Sequence, residues 1–161
     1  MGVSGTIVVL VEREERYWYP DDGGIVWLAG FMPIDPDTRR FLGREALHER
    51  GLLSAGVAGA AQFHDEVLQS EAVEPGTPLD LRRDPANEHD PNAIAVHLVS
   101  GEQLGFVPRE VAADIAGSID RGDDWSAVIL REQRASPRDP RTGVTMLLAR
   151  AGAIELSEGR G

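Results

Sequence analysis

Apolar residues along this chain fall into short runs broken by glycine, proline, asparagine and aspartate, the rhythm of strands joined by tight turns. Thr6 to Val11 and Ile25 to Phe31 are rich in β-branched and aromatic residues, and Pro20 to Gly24 between them supplies a turn. Met32 to Arg40, with two prolines, is predicted as loop, and Arg44 to Leu53 as a short helix. The small-residue stretch Ala55 to Ala61 suits a strand lying close under neighbouring backbone, or an early helical turn. Glu66 to Ala72 is predicted as a short helix or an irregular excursion.

Beyond the turn Pro75 to Pro78, Leu79 and Leu81 alternate with Asp80 and Arg82 as in a half-buried strand ending at Arg83. The turn-rich loop Asp84 to Asn92 leads into a strand, Ala93 to Val99, and Ser100 to Glu102 turns that strand into Gln103 to Val107. Behind Pro108, the positions Val111, Ala112, Ile115, Ala116 and Ile119 recur at spacings of three and four, which predicts a one-sided helix reaching about Asp120. Trp125 to Arg131 and Thr142 to Arg150 form the last strand pair, linked by the polar loop Glu132 to Arg141. Many short strands with one or two helices predict a mainly β protein built as a small barrel rather than a layered α/β sheet.

The 161 residues suit one domain, or one domain with an appendage, and 42% apolar with 27% charged residues marks neither a disordered nor a membrane-spanning chain. Sixteen basic against twenty-seven acidic residues give a net charge of −11, which disfavours partners recognised by bulk positive charge. Every one of those cations is arginine, so lysine Schiff-base and P-loop chemistry are excluded. With no cysteine there are no disulfides, thiol nucleophiles or thiolate metal sites. No apolar run approaches the roughly 20 residues that span a bilayer, and the expected location is cytoplasmic, away from membranes.

Candidate chemistry is sparse. Tyr17, Trp18 and Tyr19 offer either a stacking platform or core and subunit contacts, since alternate strand residues face opposite sides. His64, Asp65 and Glu66 together with Glu88, His89 and Asp90 hold enough ligands for a cation if the segments meet, yet their spacing matches no metal motif and solvated turns account for them equally. Nothing in the sequence assembles a nucleophile, a base and a charge-stabilising donor, so neither an enzyme nor a bound cofactor is expected. Arg131, Arg134, Arg138 and Arg141 gather around one loop that either contacts phosphate or is simply solvated.

The segment Leu79 to Val107 carries Asp84, Pro85, Asn87, His89, Asp90, Asn92, Ala93, Ile94, Val96, Gly105 and Phe106, followed by Pro108. This string resembles the HIRAN domain, and Val57 and Gly59 upstream with Arg109 and Glu110 downstream fit the same pattern over about Ala55 to Ile154. The resemblance implies an OB-like barrel, a non-catalytic module that binds single-stranded DNA at 3′ ends or at damaged and stalled forks, and a helicase or nuclease partner. It implies site residues Phe63, His89 and Phe106 as a stacking wall, Asp90 as acceptor for a terminal hydroxyl, and Arg109 with Arg82 or Arg83 as phosphate contacts. Three features depart from the family, one being Phe106 in place of a polar aromatic. His89 stands where DNA-binding members have tyrosine, and Ala61 and Gln62 align with their first-strand arginine and tyrosine; Val144 occupies a position that can be phenylalanine.

The expected organisation is therefore an N-terminal β extension over 1–54, a HIRAN-like domain over 55–156 and a tail over 157–161. The alternative to DNA binding is an acidic protein-interaction module, with a homodimer formed through the extension.

Overall fold

The continuous apolar runs Val128-Ile129-Leu130 and Met146-Leu147-Leu148-Ala149 lack the alternation of a strand with one wet face, and strands of that kind are covered on both sides. A computed structural model, which describes residues 8–18 and 26–156, bears this out. Strands β7 (Trp125–Arg134) and β8 (Arg141–Arg150) pair antiparallel along most of their length and are buried on both faces. Ala127, Ile129, Met146 and Leu148 point into one apolar cluster, whereas Val128, Leu130, Leu147 and Ala149 point into another.

The first cluster fills a curled, mainly antiparallel sheet. Strands β3 (Leu53–Gly56), β4 (Pro78–Arg83), β5 (Ile94–Leu98) and β6 (Gln103–Phe106) join the β7–β8 pair in the order β3-β8-β7-β4-β5-β6. The circuit returns on itself just past β3. Ala58 and Phe106 exchange backbone hydrogen bonds of 2.8 and 2.9 Å, a bridge that joins the first barrel strand to β6. Gly105 permits this seam, because a Cβ there would lie 2.4 Å from the Ala58 carbonyl oxygen and 2.7 Å from Val57 Cγ1. Helix α4 (Arg109–Asp120) plugs the barrel with Ala112, Ile115 and Ala116. The OB-like β architecture is as expected.

The second cluster lies on the outer face of β7–β8. Leu42, Leu47 and Leu52 cover it, brought there by β2 (Val26–Ile34), by α1 (Arg44–Glu49) and by the turns that follow each. Strand β2 takes the far edge of β7, from Trp27 opposite Arg134 to Gly30 opposite Arg131; β1 (Val8–Trp18) pairs with β2, and β9 (Ile154–Leu156) lies parallel to β1. One sheet thus runs without interruption from β1 through β7 into the barrel.

Several element boundaries differ from the sequence expectation. Strand β1 continues through Glu12 to Arg16, where alternating charges conceal it, and β2 continues past Phe31 to Ile34. The helix expected to reach Leu53 ends at Glu49, because Gly51 turns the backbone at φ 83° into β3. Ala55 to Ala61 is divided between the two options: β3 ends at Gly56, Gly59 takes φ 78°, and α2 (Ala60–Phe63) is a single turn, followed by α3 (Asp65–Leu68). The loop expected from Glu132 is strand as far as Arg134. The first residues of the Thr6 strand, Tyr19, the Pro20 to Gly24 turn, Ile25 and the 157–161 tail lie outside the described residues. No described helix is long and apolar enough to cross a membrane.

Candidate functional site

The loop between β4 and β5 has few apolar residues to hold it, so its shape comes from asparagine and aspartate side chains that bond nearby backbone. Asn87 is the organiser. Its Oδ1 accepts the backbone N–H groups of His89 at 2.9 Å and Asp90 at 3.1 Å, and its Nδ2 donates to Asp84 Oδ2 at 3.1 Å. Asp90 Oδ1 then accepts the N–H of Asn92 at 2.9 Å. These are local turn bonds, and they leave Asp90 Oδ2 facing Arg109 Nε at 3.5 Å, longer than the 2.7–2.9 Å of a tight charge-assisted bond.

Arg83 locks the loop from beneath. Its Nε and Nη2 donate to the two carboxylate oxygens of Asp120 at 2.9 and 3.1 Å, and its Nη1 donates to the carbonyls of Pro91 and Ala93 at 3.0 and 2.9 Å. That bidentate bond holds the Asp120 carboxyl below its ordinary pKa and raises the Arg83 guanidinium above its own. The guanidinium thus ties β4, the loop and α4 together; the sequence offers it, as the alternative to Arg82, for a phosphate contact.

On the upper side Arg109, at the first position of α4, reaches back so that Nη2 donates to the His89 carbonyl at 2.7 Å. The loop, the end of β6 and the start of α4 therefore converge. They enclose a pocket of about 320 Å³ lined by Ala58, Asn87, His89, Asp90, Ala93, Phe106, Val107 and Arg109. It lies at the barrel seam, with both bridge residues, Ala58 and Phe106, in its wall. Its polar equipment is one carboxylate at 17% side-chain exposure, one guanidinium at 72%, one imidazole and the Asn87 amide, set against the Phe106 ring.

Four of the seven residues singled out in the sequence, His89, Asp90, Phe106 and Arg109, line this one pocket. Phe63 is 81% exposed on α2, a turn beyond Ala58, with its ring against the Gly59 backbone. Arg82 sits on the outer face of β4, directly across from Ala95, which in turn faces Phe106, so Arg82 and Phe106 share a face two strands apart. Its guanidinium is half exposed, 3.6 Å from Asp80. Ala61 and Gln62 lie on α2 rather than on a strand, and Val144 is buried in the barrel.

Two of the arginines around residues 131–141 are turned inward and hold the fold together. Arg141 is buried, donating from Nε to buried Glu132 at 3.0 Å and from Nη1 to the carbonyls of Leu68 and Ser70, each at 3.0 Å. Arg134 also bonds Glu132, at 2.9 Å, and lies over the Trp27 ring. Among the described residues no three histidine or carboxylate side chains gather to hold a cation, so the His64 and Glu88 segments do not combine.

A profile of the HIRAN domain matches residues 54–148, from β3 into β8. The chain belongs to the HIRAN domain family. Over 70 residues it is 36% identical to the helicase-like transcription factors of Mus musculus and Oryctolagus cuniculus, a stretch that covers 44% of this chain and 6% of each relative. Among solved structures, the HIRAN domain of human HLTF matches 63% of this chain and 78% of its own at 25% identity and a TM-score of 0.45. A Lactobacillus plantarum protein matches 62% and 96% at 20% identity, also with a TM-score of 0.45. The HIRAN segment contains the whole seam pocket, and β1, β2 and α1 precede it.

The sequence did not reveal Ala58 as a pocket wall or Asn87 and Arg83 as its scaffold. Asn87 stood within the recognised string, and its place between two turn-forming aspartates is the one signal that could have exposed its role.

Proposed function

We propose that this HIRAN chain is a non-catalytic module that binds single-stranded DNA through the seam pocket, its ligand being a 3′ end or the unpaired strand of a damaged or stalled fork. The observation that carries the reading is the convergence of an aromatic ring, an imidazole, a carboxylate and an exposed guanidinium on one pocket at the barrel seam. Bases stack on aromatic faces whatever their sequence, and phosphates are held by cations near the stack. Phe106 and His89 form the stacking wall, with Phe63 extending it. Arg109 holds the terminal phosphodiester. Arg82, about 10 Å from Phe106 across two strand spacings, meets the next stretch of backbone. Asp90 keeps an acceptor oxygen because its contact with Arg109 is long, and that oxygen takes the terminal hydroxyl.

A 3′ phosphate would set charge against charge at Asp90, so the pocket discriminates between ends. Fluorescence anisotropy with 3′-hydroxyl and 3′-phosphate oligonucleotides at low salt tests this. Preferential binding of the hydroxyl end is expected, weakening as salt competes with the Arg109 and Arg82 phosphate contacts, while the chain's net −11 keeps the affinity low. Equal and negligible binding of both would overturn the proposal.

A further inference from the structure

A second cavity, of about 460 Å³, lies between α1 and α4, away from the seam pocket. Its floor is apolar, made by buried Leu52 with half-buried Leu53 and Val111. Its walls carry Glu45 and His48 from α1 and Glu110 and Asp114 from α4, with Arg44 at the start of α1. Glu110 and Asp114 are four apart on one helix face, where like charges repel, and Glu45 comes from the opposite wall. None of these three carboxylates has an ion pair or side-chain hydrogen bond among the described residues, and Arg44 is not paired with them.

The floor also contains an open strand edge. Strand β3 pairs with β8 along Leu53 to Gly56, and its other edge has no strand partner among the described residues until the Ala58–Phe106 bridge. Ser54 and Gly56 turn their N–H and C=O groups to that edge, Leu53 and Ala55 facing β8 as Val57 does, and Ser54 lines the cavity. An unpaired row of backbone donors and acceptors beside apolar pockets is the arrangement that takes an extended peptide as an added strand.

We propose that the groove between α1 and α4 docks an extended, basic segment of a partner protein. The segment adds along β3, places an apolar side chain on Leu52, Leu53 and Val111, and sets lysine or arginine between Glu45, Glu110 and Asp114. The charge complementarity fixes the sign of the partner, and the strand edge selects a peptide over a small amine. Because α1 precedes the HIRAN segment, the groove joins the barrel to residues outside the matched segment. It is independent of the DNA reading.

The test is anisotropy of the full chain with a fluorescein-labelled Lys-Val-Lys-Leu-Lys-Val peptide and its Glu-Val-Glu-Leu-Glu-Val counterpart. The basic peptide is expected to bind and the acidic one not. The double variant Glu110→Gln/Asp114→Asn should weaken binding about tenfold, the loss of two ion pairs. The control Glu71→Gln/Glu74→Gln changes net charge equally on an exposed turn away from the groove and should leave affinity unchanged. Arg109→Ala, which removes a seam-pocket residue, should leave it unchanged too. An affinity for the basic peptide weaker than about 1 mM, or equal losses in the groove and control variants, would overturn the proposal.

Discussion

Replacing Gly105 by alanine tests the barrel seam. The added methyl would sit 2.4 Å from the Ala58 carbonyl oxygen and 2.7 Å from Val57 Cγ1, and since the nearer atom is backbone, no side-chain rotation relieves it. Either the methyl is crowded in, at the about 1–3 kcal/mol of an overpacked core, or β6 withdraws and the two hydrogen bonds of the Ala58–Phe106 bridge, each about 1 kcal/mol, are lost. Alanine's smaller backbone entropy recovers about 0.5 kcal/mol. The net expectation is a loss of about 0.5–2.5 kcal/mol, which for a chain of this size lowers the melting temperature by about 1–10 °C.

Urea unfolding followed by circular dichroism measures this. Gly143→Ala is the matched control, on β8 with nothing within 4 Å of its new methyl, and should stay within about 0.5 kcal/mol of the parent. Because Ala58 and Phe106 are pocket walls, Gly105→Ala should also weaken oligonucleotide binding at temperatures where the protein remains folded. A variant as stable as Gly143→Ala would refute the closed seam.

Further outcomes follow from other contacts. Asp90→Ala should abolish the preference for a 3′ hydroxyl over a 3′ phosphate, and Arg109→Ala should weaken both ends about tenfold, read by the same anisotropy titration; a preference that survives Asp90→Ala would remove its reading role. Glu132→Gln leaves Arg141 buried without its counter-charge and should cost about 3 kcal/mol or more in urea unfolding, whereas a cost below about 1 kcal/mol would show the pair to be inconsequential. Asp35, Asp120 and Asp123 have pKa values held below the ordinary range, by the backbone N–H of Thr38, by Arg83 and by Ser118 respectively. A depressed carboxylate binds fewer protons folded than unfolded, so its stabilisation is complete above about pH 5 and is lost as pH falls through the unfolded value near 4 and below. Urea midpoints should therefore drop between pH 5 and about pH 3, and Arg83→Leu should flatten that drop; a midpoint constant over that range would contradict the assignment.

Much of the pocket was legible because its parts lie in one stretch of sequence. His89 and Asp90 precede β5, Phe106 ends β6 and Arg109 opens α4, so one hairpin gathers them. Ala58 was not legible, since a small residue in a glycine-rich stretch announces nothing until the curl of the sheet brings it to Phe106. The bonds of Arg83 and Arg141 were not legible, for a shared reason. An arginine in a sequence shows its charge but not the direction of nearby carbonyls, and here those of Pro91, Ala93, Leu68 and Ser70 consume the donors. Strand β1 was cut short because its charged half lacks hydrophobic alternation, whereas β7 and β8 were readable from unbroken apolar runs.

The place of β7 and β8 in the chain has a consequence for synthesis on the ribosome. Strand β2 finds β7, β3 finds β8, and α1 finds the outer face of both, so early apolar residues such as Trp27, Leu42 and Leu52 have their partners far downstream. At about 5–20 residues per second, roughly a hundred residues of separation leaves those side chains waiting about 5–20 seconds before a docking surface emerges. The nascent chain thus passes through an interval in which sticky segments are exposed and cannot be buried natively.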